Sequence, residues 1–185
     1  MTISYRKVCM IAALILMAGC AQNREVPKLK SQVVELKQML GTLAEQALAL
    51  ERQNRLNQNS STGVYLLPNA NSAARLNSSV GELSVSLSEV KSEANGSQAM
   101  LSIRALPGQF LPNFTATVEW GPLDTATGMP ISAEAQSQPL QSRSSLLPKT
   151  EQVFELRLSG VTPQQLGYIR LHGLTPQSAA PAVTQ

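Results

Sequence analysis

Two places in this 185-residue chain hold side chains with chemistry of their own. The first is Cys20, which follows the apolar and small run Val8–Ala18 and then Gly19. A cysteine sulfur is a nucleophile as its thiolate and can be alkylated to a stable thioether. The second is "GYIRLHG", where Tyr168, Arg170 and His172 stand two residues apart. Catalysis of the Ser-His-Asp kind needs a histidine base, and His172 is the only histidine. Zinc sites usually take three or four His, Cys or carboxylate ligands, and one histidine with no thiol beyond Cys9 and Cys20 falls short of that. Glu82, Glu89 and Glu93 could in principle hold calcium, but read as scattered surface charges. No glycine-rich phosphate loop is written in the chain. The expectation is no metal, no cofactor and no enzyme.

The element that positions Cys20 is the N-terminus. The chain opens MTISYRK, and Arg6 and Lys7 precede the apolar run. Its eleven residues would reach about 16 Å as a helix, short of a hydrocarbon core about 30 Å thick. A basic start, a short apolar core and small residues at its end have the layout of an export signal. Leu16-Met17-Ala18-Gly19-Cys20 resembles the bacterial lipobox, with Met17 in the leucine-like place as a mild departure. Residues 1–19 are then a signal peptide that takes Cys9 with it, Cys20 carries the lipid, and 20–27 form a tether. Stable anchoring takes about two acyl chains. The plainer alternative is a secretory signal whose cleavage happens to precede a cysteine. Ala21 rather than an aspartate follows Cys20, which points to the outer membrane, with the protein facing the periplasm.

Without Arg6 and Lys7, 13 of the 15 Lys and Arg remain against 12 Asp and Glu. A nearly neutral mature chain lacks the basic face of a nucleic-acid binder. No disulfide is available, so the folded part must hold itself by apolar burial.

From Pro27 the spacing is regular. Val26, Val33, Leu40, Ala47 and Asn54 repeat every seven residues, and Leu29, Leu36, Leu43 and Leu50 do the same. This a/d pattern predicts a coiled-coil-like helix over 28–56. Lys30, Lys37 and Glu51 at e and Gln32, Gln46 and Gln53 at g encode few interhelical pairs. Three partners for the seam stay open: another copy of the chain, the chain's own globular domain, and a membrane surface.

"NQNSSTG" opens a polar linker over 57–79. Beyond it the period changes to two. Leu83, Val85 and Leu87 alternate with serines; Leu101, Ile103 and Ala105 follow the hairpin signal Asn95-Gly96. Phe114, Ala116, Val118 and Trp120 alternate with Thr115, Thr117 and Glu119, and Phe154, Leu156 and Leu158 with Glu155 and Arg157. Ile169 and Leu171 alternate with Tyr168, Arg170 and His172. "GVYLLP" could add a short first strand, and 121–148 one or two edge strands. Rows with one apolar face suit antiparallel sheets buried on one side. The predicted class is α+β: a lipoprotein signal, a long heptad helix and an antiparallel β-sandwich over 80–173, with a disordered tail at 174–185. Trp120 is read as a core anchor or an exposed edge contact.

"CAQNREVPKLK", "SSTGVYLLPNANSAARL", "FTATVEWG" and "TPQQLGYIRLHGL" stand here in that order. In these stretches the chain resembles the YajI-type lipoproteins of enteric bacteria over nearly its whole mature length. The resemblance implies a lipoprotein with a helical stalk and a β domain, and transfers no active site.

The chain therefore reads as an outer-membrane lipoprotein of unknown biochemical role. It is held to the membrane by Cys20, self-associates through the heptad helix, and acts as a non-enzymatic interaction or structural module toward an envelope protein. The alternative is a glycan- or peptide-binding lipoprotein, with Tyr168, Arg170 and His172 as a patch for an anionic ligand. The plain reading of those three is a solvated strand face.

Overall fold

The computed structural model describes residues 25–177. The expected signal 1–19, Cys20, the tether as far as Arg24 and tail residues 178–185 lie outside the described residues. Helix α1 spans Glu25–Gln58, longer at both ends than the expected 28–56. Pro27 falls in its first turn, where a missing N–H costs no helical bond. The chain divides into two units between Ala44 and Glu45. Every described helix side chain up to Ala44 is exposed.

Among the described residues eight strands follow: β1 Gly63–Leu66, β2 Ala74–Ser78, β3 Gly81–Glu93, β4 Gly96–Ala105, β5 Phe114–Gly121, β6 Gln136–Gln141, β7 Glu151–Ser159 and β8 Tyr168–Pro176. They form two four-stranded sheets in the orders β1-β8-β5-β6 and β2-β3-β4-β7. Every pairing is antiparallel. The inward rows are those the alternation predicts. Leu83, Val85, Leu101, Ile103, Phe114, Val118, Leu156, Leu158, Ile169 and Leu171 are buried in one cluster. Trp120 belongs to it, only 3% exposed, and its Nε1 donates to the Ser159 carbonyl at 3.2 Å. Trp120 is thus a core anchor.

Three expectations are corrected. The span 57–79 is not a linker throughout, because β1 and β2 lie in it. β1 lacks alternation because both its faces are covered. Val64 and Leu66 face the sandwich core, while Tyr65 and Leu67 join a second cluster with Leu50, Leu56, Ala70 and Tyr168. The expected tail does not begin at 174, since β8 runs to Pro176 and Leu174 is buried. The β3–β4 turn is Ala94-Asn95, because Glu93 pairs with Gly96. Gly96 adopts φ 151°, and a Cβ there would run into the Leu158 carbonyl. The glycine is needed for close approach, not as a residue of the loop itself.

Candidate functional site

Alternation along β8 sends Ile169 and Leu171 inward and Tyr168, Arg170 and His172 to the outer face. Register supplies their neighbours. Glu119 of β5 pairs with Arg170. On the other side Gly63 of β1 pairs with His172, and Tyr65 with Arg170. A Cβ at Gly63 would lie 2.7 Å from the His172 Cβ, so the glycine makes room for the histidine.

The outer face is not the solvated row that the sequence suggests. Tyr168 is fully buried, because Leu56 and Leu67 cover its ring. Arg170 and His172 are partly covered. The Tyr168 hydroxyl donates to Glu119 Oε1 at 2.8 Å. Glu119 Oε2 lies 4.0 Å from Arg170 Nη1 and 3.7 Å from His172 Nε2. Arg170 Nη2 donates to Thr62 Oγ1 at 3.1 Å, and its guanidinium sits 5.1 Å from the Tyr65 ring centroid. Burial, then the carboxylate of Glu119, pushes the Tyr168 phenol well above its ordinary range. Burial, then the cation of Arg170, holds His172 below the usual histidine value, although Glu119 pulls the other way. His172 is therefore neutral near pH 7, and its 3.7 Å contact with Glu119 is not an ion pair there. Arg170 Nε and His172 Nε2 are buried without hydrogen-bond partners. One carboxylate thus answers a phenol, a guanidinium and an imidazole. No group of metal-ligating residues is gathered anywhere among the described residues.

Sequence reasoning missed a second constellation, at the end of α1. Gln53 is 1% exposed. Its Oε1 accepts from the Leu67 N–H at 2.8 Å, and its Nε2 donates to the Ser72 carbonyl at 3.4 Å. Asn57 Oδ1 accepts from the Tyr65 N–H at 2.7 Å, and Nδ2 donates to the Tyr65 carbonyl at 2.9 Å. β1 is an edge strand, so these two amides take the place of a neighbouring strand. From Glu45 onward the covered helix residues are Gln46, Ala49, Leu50, Gln53, Leu56 and Asn57. That stripe keeps the d row through Leu50 but not the a row, since Ala47 and Asn54 are exposed. A pair of amides four apart before a β-rich apolar run was the available signal. Glu119 was legible as the one charge of "FTATVEWG", but its partner was not.

In the first unit the described seam residues are exposed. Leu29, Val33, Leu36, Leu40 and Leu43 are between 47% and 65% exposed. No described helix is long and apolar enough to cross a membrane.

A family described as "Protein of unknown function (DUF3251)" matches residues 20–182. This chain belongs to the DUF3251 family. Like the E. coli K12 lipoprotein YajI, to which it is 32% identical over 164 residues, it is a YajI-like lipoprotein. That alignment covers 89% of this chain and 92% of YajI. The solution NMR structure of E. coli YajI superposes with a TM-score of 0.66 at 33% identity, covering 76% of this DUF3251 chain and 85% of YajI. The trimeric lipoprotein SadB of Salmonella enterica superposes with a TM-score of 0.52 over 92% of this chain and 87% of its own. At 20% identity SadB shares the fold. For this DUF3251 member, β8 and its neighbours bring Tyr168, Arg170 and His172 together with Glu119 and Tyr65, while Cys20 lies outside the described residues.

Proposed function

We propose that this lipoprotein is anchored in the outer membrane by lipid on Cys20, faces the periplasm, and serves as a non-enzymatic interaction module whose helix self-associates. The observation that carries the reading is the bare seam. Leu29, Val33, Leu36, Leu40 and Leu43 keep heptad spacing and stay exposed, and an apolar a/d stripe of that kind is stable in water when another helix covers it. Two findings support it: the family match begins at Cys20, and SadB, which shares the fold, is described as trimeric.

Fractionation of the envelope, with mass spectrometry of the mature N-terminus, tests the anchor. Cys20→Ser should abolish the acyl mass and block processing. A mature end elsewhere, or residence of the wild type in the inner membrane, would contradict the reading. Chemical cross-linking in membranes tests the helix, and a wholly monomeric pattern would remove self-association.

One observation favours the glycan- or peptide-binding alternative. Arg170 Nε and His172 Nε2 are buried without hydrogen-bond partners, and the Arg170 guanidinium lies over the Tyr65 ring, so an anionic ligand would meet an arginine and an aromatic ring on one face. Loss of ligand capture in the Arg170→Ala, His172→Ala double variant, at unchanged affinity for envelope proteins, would favour it.

A further inference from the structure

One end of the sandwich carries two turns built alike. Leu106-Pro107-Gly108-Gln109 follows β4, and Leu147-Pro148-Lys149-Thr150 leads into β7. In each, the fourth N–H donates to the first carbonyl at 3.0 Å, and proline stands second. The third residue has a positive φ, 78° at Gly108 and 64° at Lys149. This is the type II pattern, whose third place suits glycine because a Cβ is strained there. The first turn has its glycine. The second has a lysine, held there at a cost to stability.

Leu111 and Leu146 tie the two segments together. Each donates its N–H to the other's carbonyl, at 3.0 and 2.8 Å, and both are buried. Alternation turns their neighbours Phe110 and Leu147 outward, 55% and 60% exposed. Pro107 and Pro148 are exposed too.

The charge on these segments has one sign. Residues 105–113 and 141–150 hold Arg143 and Lys149 and no carboxylate. Both cations are exposed, and neither enters an ion pair among the described residues. Glu151, next along the chain, is already bound by Arg104. Glu82 is the carboxylate beside the neighbouring β2–β3 turn and stands on the outer face of β3, so the tip keeps a net positive charge.

α1 leaves this tip clear. Its Arg52 lies against Gly128, where a Cβ would come 3.2 Å from Nε. Gly128 belongs to the connection between β5 and β6 at the other end of those strands. The tip also projects, since a Cβ on Gly108 would meet nothing within 4 Å. A projecting pair of turns has no groove to seat a partner's side chain. It can press its own apolar side chains into a bilayer, with cations beside them on the phosphates.

We propose that this tip docks on an anionic phospholipid surface. Phe110 and Leu147 enter between the headgroups, Lys149 and Arg143 meet the phosphates, and the two prolines hold the turns ready, so little order is lost on docking. This goes beyond the interaction-module reading.

The test holds the acylated full chain in nanodiscs of neutral phosphatidylcholine and measures capture of added vesicles. Vesicles with one lipid in three phosphatidylglycerol should be captured. Pure phosphatidylcholine vesicles should be captured at least about tenfold more weakly, and high salt should close the gap. Phe110→Ser with Leu147→Ser should weaken capture at least about tenfold at unchanged melting, since both side chains are already exposed. Lys149→Gly should weaken capture about fivefold yet melt no lower than wild type, because glycine suits φ 64°. Should the serine variant melt early, Lys149→Glu serves instead: it keeps the strained side chain, reverses the charge, and should abolish capture. No capture of the anionic vesicles, or equal capture of the neutral ones, would overturn the proposal. Unchanged capture by the serine variant or by Lys149→Glu would do the same. Binding of soluble poly-glutamate that needs Phe110 and Leu147, without vesicle capture, would assign the tip to an acidic protein, against the proposal.

Discussion

Asn57 and Tyr65 are joined by two hydrogen bonds through one carboxamide, with the Tyr65 N–H donating to Oδ1 at 2.7 Å and Nδ2 donating to the Tyr65 carbonyl at 2.9 Å. Gln53, one helical turn earlier, receives the Leu67 N–H. Four residues of helix rise about 6 Å, close to the roughly 6.7 Å between alternate residues of a strand. That match lets amides spaced four apart serve outward groups spaced two apart.

Asn57→Ala should therefore leave a main-chain donor and an acceptor of β1 without their partners. A partly buried group stripped of its bond costs about 1–3 kcal/mol, and a denaturant midpoint lowered to match is the expected outcome. Asn57→Asp keeps the acceptor and loses the donor, so it should fall between. A midpoint equal to wild type would mean that water replaces the amide at no cost.

His172 gives the β domain an acid-sensitive term of known sign. Its folded pKa lies below the ordinary histidine value because burial and Arg170 disfavour the cation. The unfolded chain therefore binds the proton first. The stabilisation is full above the unfolded value of about 6.5 and is lost as pH falls from there through the folded value. Stability should fall from pH 7 toward pH 5 in wild type and fall less in His172→Asn. A steeper fall in the variant would show that Glu119 outweighs burial.

Removing Arg170 should be felt, because its guanidinium sits over the Tyr65 ring and its Nη2 bonds Thr62. A partly desolvated cation–π contact is worth about 1–2 kcal/mol, and Arg170→Ala should lower stability by about that much. Leu171→Asp, directly beneath in the core, should abolish folding by circular dichroism, since an unpaired buried carboxylate is far more costly. Equal effects from the two variants would mean that the two faces of β8 are assigned wrongly.

The seam prediction separates the two units. Leu36→Lys with Leu43→Lys adds charges where the wild-type side chains are already exposed, at 58% and 60%. Wild type should sediment as an oligomer and the double variant as a monomer, while the β domain melts as before in both. A wild type that sediments as a monomer at high concentration would leave the seam without a partner copy.

Much of the fold was legible because it is local. A period of two in "FTATVEWG" and "VFELRLSG" is enough to say which side chains face the core, since alternation is a property of the strand itself. The seven-residue repeat from Val26 to Leu50 is likewise a helical property. β1 was harder to read: "GVYLL" is apolar throughout because the core covers one face and the end of α1 the other.

What the tertiary structure alone decided is which neighbour each row meets. Tyr168, Arg170 and His172 share a face by sequence, but only the packing of Leu56 and Leu67 makes Tyr168 dry. Only the β5–β8 register brings Glu119 opposite Arg170. The a/d repeat marks one stripe of α1, yet from Glu45 onward the covered stripe is the one holding Gln53 and Asn57, because an edge strand there has main-chain groups to satisfy. Periodicity is written along the chain; the partner that satisfies each face comes from residues far away in it, and no local pattern encodes that distance.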